Sequence, residues 1–354
     1  MDKLVGHRWA ASLLQNGIDT GKVTHAYLIQ GATGVGKSRL ALDFALALGC
    51  QNPPDKEGQI SGLRYCGKCR ACRMISEAKH PDVSTVGLEW QAQMEGGNRD
   101  GNIGANLKVE TIRSIVNGIN YDPPKELRWR IFIIKEAETM RAEAANAFLK
   151  TLEEPPSRAI LILIANSGRP ILPTILSRCQ VVELRPVPKT EIVQALQNEG
   201  ASLEEAETLA AIAAGRPGWA LQAYRTKANL TEREEALQQM NSLLPADKIQ
   251  RTFIAEEIAG RWQSGGDKRA GVLSTFNVWL GWWRDLALVR QNLDNYVSNV
   301  DKLAELQVQA KKLSPVQIKD MLGGITRAQA ELESNVAPRM AINDLFLNRL
   351  PYSK

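Results

Sequence analysis

The octet Gly31-Ala-Thr-Gly-Val-Gly-Lys-Ser38 constrains this chain more than any other feature in it. It fits GxxxxGK[ST], with Gly31, Gly36, Lys37 and Ser38 at the fixed positions. Such a loop works where a strand ends and a helix begins. Its backbone N–H groups turn inward around phosphate, and the helix N-terminus adds positive potential. Both flanks agree. Ala26-Tyr-Leu-Ile-Gln30 is a short apolar run entering glycine, and Ser38 to Gly49 is apolar at helical spacing and rich in helix formers. Gly31, Thr33, Gly34, Val35, Gly36, Lys37 and Ser38 are therefore expected to hold a nucleotide. Lys37 would reach the β and γ phosphates and Ser38 would ligate Mg²⁺. The motif specifies binding, not hydrolysis.

The surrounding pattern predicts an α/β domain. Strands are expected at Ala26–Gln30, Arg130–Ile134, Ile160–Ala165 and Val181–Leu184. Helices are expected over residues 8–20, Ser38–Gly49, Val109–Ile119 and Glu143–Leu152. Alternation of this kind gives a parallel sheet covered by helices on both faces. Leu88 to Gly104 lacks periodicity and reads as a loop. Beyond Pro186 and Pro188 the spacing is helical almost to the end, with a break at Leu244-Pro245. The expected division is 1–187, 188–244 and 245–354, which suits a chain of 354 residues. No apolar run approaches the roughly 18–20 residues of a membrane helix. The first ten residues have no signal-peptide core, so a cytoplasmic location is expected. The net charge of +5 is compatible with nucleic acid but is not evidence for it.

Cys66, Cys69 and Cys72 fall within seven residues, and Cys50 lies upstream. Four thiolates suit a closed, structural tetrahedral zinc site. An iron–sulfur run would want a further cysteine where Ser76 stands, and a redox pair seldom carries a third cysteine at this spacing. His80 is an alternative fourth ligand to Cys50.

Hydrolysis would need carboxylates after a neighbouring strand. The strand Ile131–Ile134 is followed by Lys135-Glu136-Ala137-Glu138. Lys135 would compete with Mg²⁺ rather than hold it. Glu136 is a candidate base, or both glutamates cap the next helix. Asn166 is placed to sense a γ-phosphate, or else to make a turn. Arg178 precedes the last strand and could reach a nucleotide on a neighbouring subunit, or else make a surface ion pair.

The runs Val5-Gly6-His7, His25-Ala26-Tyr27, Asn146-Ala-Phe-Leu-Lys-Thr-Leu-Glu-Glu-Pro-Pro156 and Thr174-Ile-Leu-Ser-Arg-Cys179, with the phosphate loop and cysteines, carry a family resemblance. The chain resembles the clamp-loader AAA+ proteins of bacterial DNA polymerase III, closely over about residues 1–225 and loosely beyond. The resemblance implies an AAA+ P-loop domain with a zinc module at 50–72, a small helical lid and an all-α collar. It implies ATP with Mg²⁺ as ligand, and Zn²⁺ in the cysteine module. The implied partners are the tau/gamma and delta subunits in a hetero-pentameric ring, the sliding clamp, and the backbone of primer–template DNA. The family contains ATP-hydrolysing motors and a largely rigid stator that donates an arginine finger. Lys135-Glu136 in place of the motors' Asp-Glu, the run Gly215-Arg-Pro-Gly-Trp-Ala-Leu221 where motors usually have an Arg-Asp-Ala-Leu run, and the absence of a long tail favour the stator. Arg178 then becomes the finger acting in trans, and Arg216 the second sensor. The intact phosphate loop departs from stators that have lost it, so ATP binding with little turnover is expected. The alternative is a motor using Glu136. No polymerase site is expected.

Overall fold

The computed structural model describes residues 3–54, 62–94, 106–121, 125–166, 171–264, 266–334 and 336–351. The chain folds as two compact units, one of Met1–Ala195 with Gly215–Gly218, the other of Leu196–Ala214 with Trp219–Lys354.

The first unit is built on a five-stranded sheet in the order β2-β3-β4-β1-β5. The strands are β1 (Ala26–Gly31), β2 (Val83–Val86), β3 (Arg130–Ile134), β4 (Ala159–Asn166) and β5 (Gln180–Glu183). Every pairing is parallel. Helices α1 (Arg8–Asp19), α2 (Lys37–Gly49), α3 (Arg70–Ser76), α4 (Leu88–Met94), α5 (Val109–Tyr121), α6 (Ala142–Glu153) and α7 (Pro173–Leu176) complete it up to β5. Strand alternation explains why both faces are apolar. Tyr27, Ile29, Ile131, Ile133, Ile160, Ile162 and Ile164 pack with Leu14 of α1 and Leu40 and Phe44 of α2. Their neighbours Leu28, Phe132, Ile134, Leu161 and Leu163 pack with Ile112 and Ile115 of α5 and Phe148 and Leu152 of α6. The expected α/β P-loop architecture is therefore present.

The structure adds one strand to those expected and corrects one expected loop. Val83–Val86 is a strand that periodicity did not reveal. Leu88–Met94 is helical rather than loop, while 95–104 lies outside the described residues.

From residue 189 onward the described elements are helical. They begin with α8 (Lys189–Asn198), α9 (Leu203–Ala213), α10 (Pro217–Thr226) and α11 (Ala228–Leu243). They continue with α12 (Lys248–Gln263), α13 (Gly266–Arg290), α14 (Leu303–Lys312), α15 (Pro315–Glu333) and α16 (Pro338–Asp344). The core of the second unit forms around α13. Trp279, Trp282 and Trp283 are almost fully buried, and Trp279 donates its indole N–H to Ala236 O at 2.7 Å. Arg251 is fully buried in the same unit. Its guanidinium donates to the carbonyls of Leu244, Ala246, Phe346, Leu350 and Pro351. A buried cation needs such acceptors, so this side chain ties the start of α12 to the residues after α16. Among the described residues no helix is long and apolar enough to cross a membrane.

Candidate nucleotide site and cysteine cluster

Parallel strands end on one edge, and the phosphate loop leaves β1 at that edge. Gly34 and Gly36 lie at φ +82° and +116°, in the left-handed region that suits glycine. The loop then enters α2 at Lys37. Strand register supplies the next residue, because Gly31 of β1 stands opposite Asn166 of β4.

Lys37 is buried and its three N–H donors are all used. They go to Gly31 O at 2.8 Å, Ala32 O at 2.9 Å and Asn166 Oδ1 at 2.8 Å. Burial lowers the Lys37 ammonium to about 8, opposed by the charge of Glu138. Thr33 Oγ1 donates to the same Asn166 Oδ1 at 3.1 Å, and Asn166 Nδ2 donates to Glu138 Oε1 at 2.8 Å. Ser38, at the start of α2, is exposed. It is thus available to a cation that accompanies phosphates.

Two flanks hold the loop in shape. His7 Nε2 donates to Val35 O at 2.9 Å. Burial lowers the His7 imidazole, although the Val35 bond opposes the shift. On the other side Gly218 N donates to Gly34 O at 2.8 Å. A Cβ at 218 would stand 3.0 Å from that oxygen, which explains glycine there. The backbone 215–218 therefore lies against the loop, with Arg216 just ahead of α10.

The carboxylates do not follow their order in sequence. Glu136 takes a left-handed conformation at φ +51°, and its carboxylate accepts from Leu88 N at 3.2 Å. Burial raises its pKa. The turn at Glu136 and the 3₁₀ segment Ala137–Thr139 carry Glu138 to Asn166 instead. Glu138 is the carboxylate that the structure joins to the phosphate-loop network, and spacing alone does not single it out.

Arg178 lies two residues before β5, at the opposite edge of the sheet. Tyr27 pairs with Gln180 and Gln30 with Glu183. Four residues of parallel strand, from Tyr27 to Gly31, separate the start of β5 from the loop, about 13 Å at about 3.3 Å each, and Arg178 lies in the turn before that start. Its guanidinium donates to Thr174 O at 2.9 Å, Ser177 Oγ at 3.1 Å and Glu153 Oε1 at 2.6 Å.

The four sulfurs of Cys50, Cys66, Cys69 and Cys72 lie within 4.8 Å of one another. A tetrahedral zinc with sulfur at about 2.3 Å would space them by about 3.8 Å, so the residues present fit that ion. Backbone N–H groups already point at the sulfurs. Cys66 N donates to Cys50 Sγ at 3.2 Å, Cys69 N to Cys66 Sγ at 3.3 Å and Cys72 N to Cys69 Sγ at 3.4 Å. Burial opposes ionisation of Cys69, but the N–H groups of Cys72 and Gln51 outweigh it and bring the thiol to about 6. His80 stands outside the cluster, with Nδ1 accepting from Asp82 N at 3.1 Å. The cluster is tied to α2 directly through Cys50, the residue after its last turn, and through Tyr65, whose hydroxyl donates to the buried Asp43 at 2.9 Å.

A family model described as DNA polymerase III, delta subunit matches residues 6–188. The delta' subunit of Escherichia coli DNA polymerase III is 29% identical over 339 residues, covering 92% of this chain and 89% of that protein. The delta' subunit of Pseudomonas aeruginosa is 33% identical over 198 residues, 54% of this chain and 53% of its own. The tau subunit of Bacillus subtilis is 32% identical over 212 residues, 57% of this chain and 34% of its own. The chain spans 47% of the gamma subunit of Buchnera aphidicola from Acyrthosiphon pisum. A solved gamma subunit-related protein of Thermotoga maritima aligns over 96% of this chain and 99% of its own, with TM-score 0.44 and 20% identity.

Proposed function

The chain belongs to the DNA polymerase III, delta subunit, family, and on that premise we propose that it is a clamp-loader subunit of the delta-prime type, a stator that binds ATP with little turnover and offers Arg178 to a neighbour's nucleotide. In this reading it joins tau/gamma and delta subunits in a hetero-pentameric ring that places a sliding clamp on primed DNA.

The position of Arg178 carries the reading. It sits in the turn before β5, beyond the strand end away from its own phosphate loop, with about 13 Å of paired strand between them, so a nucleotide it touches would belong to another chain. An arginine supplied in trans stabilises charge on the transferring phosphoryl group. The match along most of the Escherichia coli delta' length supports the stator type. So does Lys135, which follows β3 where a motor carries an acid.

The chain's own site would bind ATP through the N–H groups of the loop, with Lys37 turning from the carbonyls of Gly31 and Ala32 to the β and γ phosphates. Ser38 would hold the Mg²⁺ that neutralises those phosphates. Arg216 would reach the nucleotide from the turn whose Gly218 N donates to Gly34 O. Cys50, Cys66, Cys69 and Cys72 would hold a structural Zn²⁺. The helices beyond residue 187 would divide into a lid, 188–244, and a collar, 245–354.

The intact phosphate loop favours one other reading, a motor of the tau/gamma type with Glu136 as base. ATP binding and turnover by the purified chain separate the two. The stator reading predicts nucleotide binding with turnover near background, unchanged by Glu136→Gln. Steady intrinsic turnover that Glu136→Gln abolishes would contradict it.

A further inference from the structure

The amide of Asn166 has its orientation fixed from both sides. A carboxylate only accepts hydrogen bonds and an ammonium only donates them. Glu138 Oε1 therefore takes Nδ2, at 2.8 Å, and Lys37 Nζ takes Oδ1, at 2.8 Å. Thr33 Oγ1 adds a second donor to Oδ1 at 3.1 Å. The amide thus shows its oxygen to the phosphate loop and its N–H₂ to Glu138.

This orientation is wrong for contact with a terminal phosphate, which is an acceptor. When a nucleotide draws Lys37 onto its β and γ oxygens, Oδ1 loses its strongest donor. A γ-phosphate is served only if the amide turns its Nδ2 toward the loop. That turn breaks the charge-assisted bond to Glu138 and sets Oδ1 against a carboxylate. A diphosphate, with no γ group to meet, leaves the amide where it is.

We infer that Glu138 sets the preference of this site between nucleoside triphosphate and diphosphate, by holding the Asn166 amide in the orientation that a diphosphate tolerates and a triphosphate must overturn. Glu138 is a positioning residue, acting through Asn166. The inference rests on the nucleotide-site reading above. It gives a role to the carboxylate hydrogen-bonded to Asn166, which is Glu138, reached through the left-handed turn at Glu136, and not Glu136 itself, whose carboxylate is bound at Leu88 N.

The test is affinity, not turnover. Binding of a non-hydrolysable ATP analogue and of ADP, both with Mg²⁺, is measured for the full chain and for Glu138→Ala, Glu138→Gln, Asn166→Ala and the Glu138→Ala/Asn166→Ala pair. Losing a hydrogen bond to a charged group is worth roughly ten- to a hundred-fold. Glu138→Ala is expected to raise the triphosphate-to-diphosphate affinity ratio by about that factor, and Glu138→Gln, which keeps an acceptor without charge, by less. In the Asn166→Ala background the Glu138→Ala change should no longer move the ratio, because the amide it acts through is gone. A ratio that is unmoved or lowered by Glu138→Ala, with binding retained, overturns the inference alone. So does a rise that persists without Asn166, since it would come from direct repulsion between Glu138 and phosphate. Failure of the unaltered chain to bind either nucleotide overturns the site reading, and the inference with it.

Discussion

At the scale of the residue, Lys37 is the point where burial and function meet. Burial holds its ammonium at about 8, well below the ordinary lysine value, with the charge of Glu138 opposing the shift. Phosphate needs the protonated form. Nucleotide affinity should therefore be flat below pH 8 and fall above it, approaching ten-fold per pH unit. Folding stability should move the other way. Between pH 8 and about 10.4 the unfolded chain binds the extra proton, so this lysine's contribution to stability rises with pH across that window. Isothermal titration from pH 7 to 9.5 reads the first effect. A flat profile through pH 9.5 would show that Lys37 keeps its proton or does not meet the phosphate. Lys37 itself was plain in the sequence, because its motif is local. Glu138 was not, because its place depends on a positive φ at Glu136 and on the register that sets Asn166 opposite Gly31. Neither leaves a mark in residue spacing.

At the scale of the element, legibility follows burial and length. Arg130–Ile134 and Ala159–Asn166 read as strands because both faces are covered and nearly every side chain is apolar. Val83–Val86 is a four-residue edge strand whose central Ser84 and Thr85 are half-buried, so neither an apolar run nor a clean alternation announces it. Leu88–Met94 was obscured by the glycine-rich stretch that follows. The cysteine spacing foretold a cluster, and the structure adds that Cys50 joins it from the end of α2 while His80 is held at Asp82 N. A metal there would brace the helix that starts at Lys37. Mass spectrometry under native conditions should find one zinc per chain, lost in Cys66→Ser. Chelation should lower Tm by about 5–10 °C, since metal binding energy becomes folding energy. A metal-free chain with unchanged Tm would reject the zinc site.

At the scale of the whole molecule, the sheet order is what gives the sequence motifs their meaning. Parallel strands put the phosphate loop and Arg178 on opposite edges, although β1 and β5 are direct neighbours. The phosphate loop and the Ser177-Arg178-Cys179 triplet are each legible alone, but that opposition emerges only when the strands are paired. The helical remainder was legible as helices. The roles of its buried groups were not. Arg251 is an example, because its acceptors are backbone carbonyls up to a hundred residues away. The proposed role of Arg178 is to act across a subunit boundary. The direct measurement is ATP turnover by a ring reconstituted from this chain with tau/gamma and delta subunits, in the presence of sliding clamp and primed DNA. Arg178→Ala should leave assembly intact, because among the described residues the guanidinium bonds to exposed groups of its own chain. Turnover should fall by roughly 10³-fold or more at the site it serves. A fully assembled Arg178→Ala ring with unchanged turnover would contradict the account.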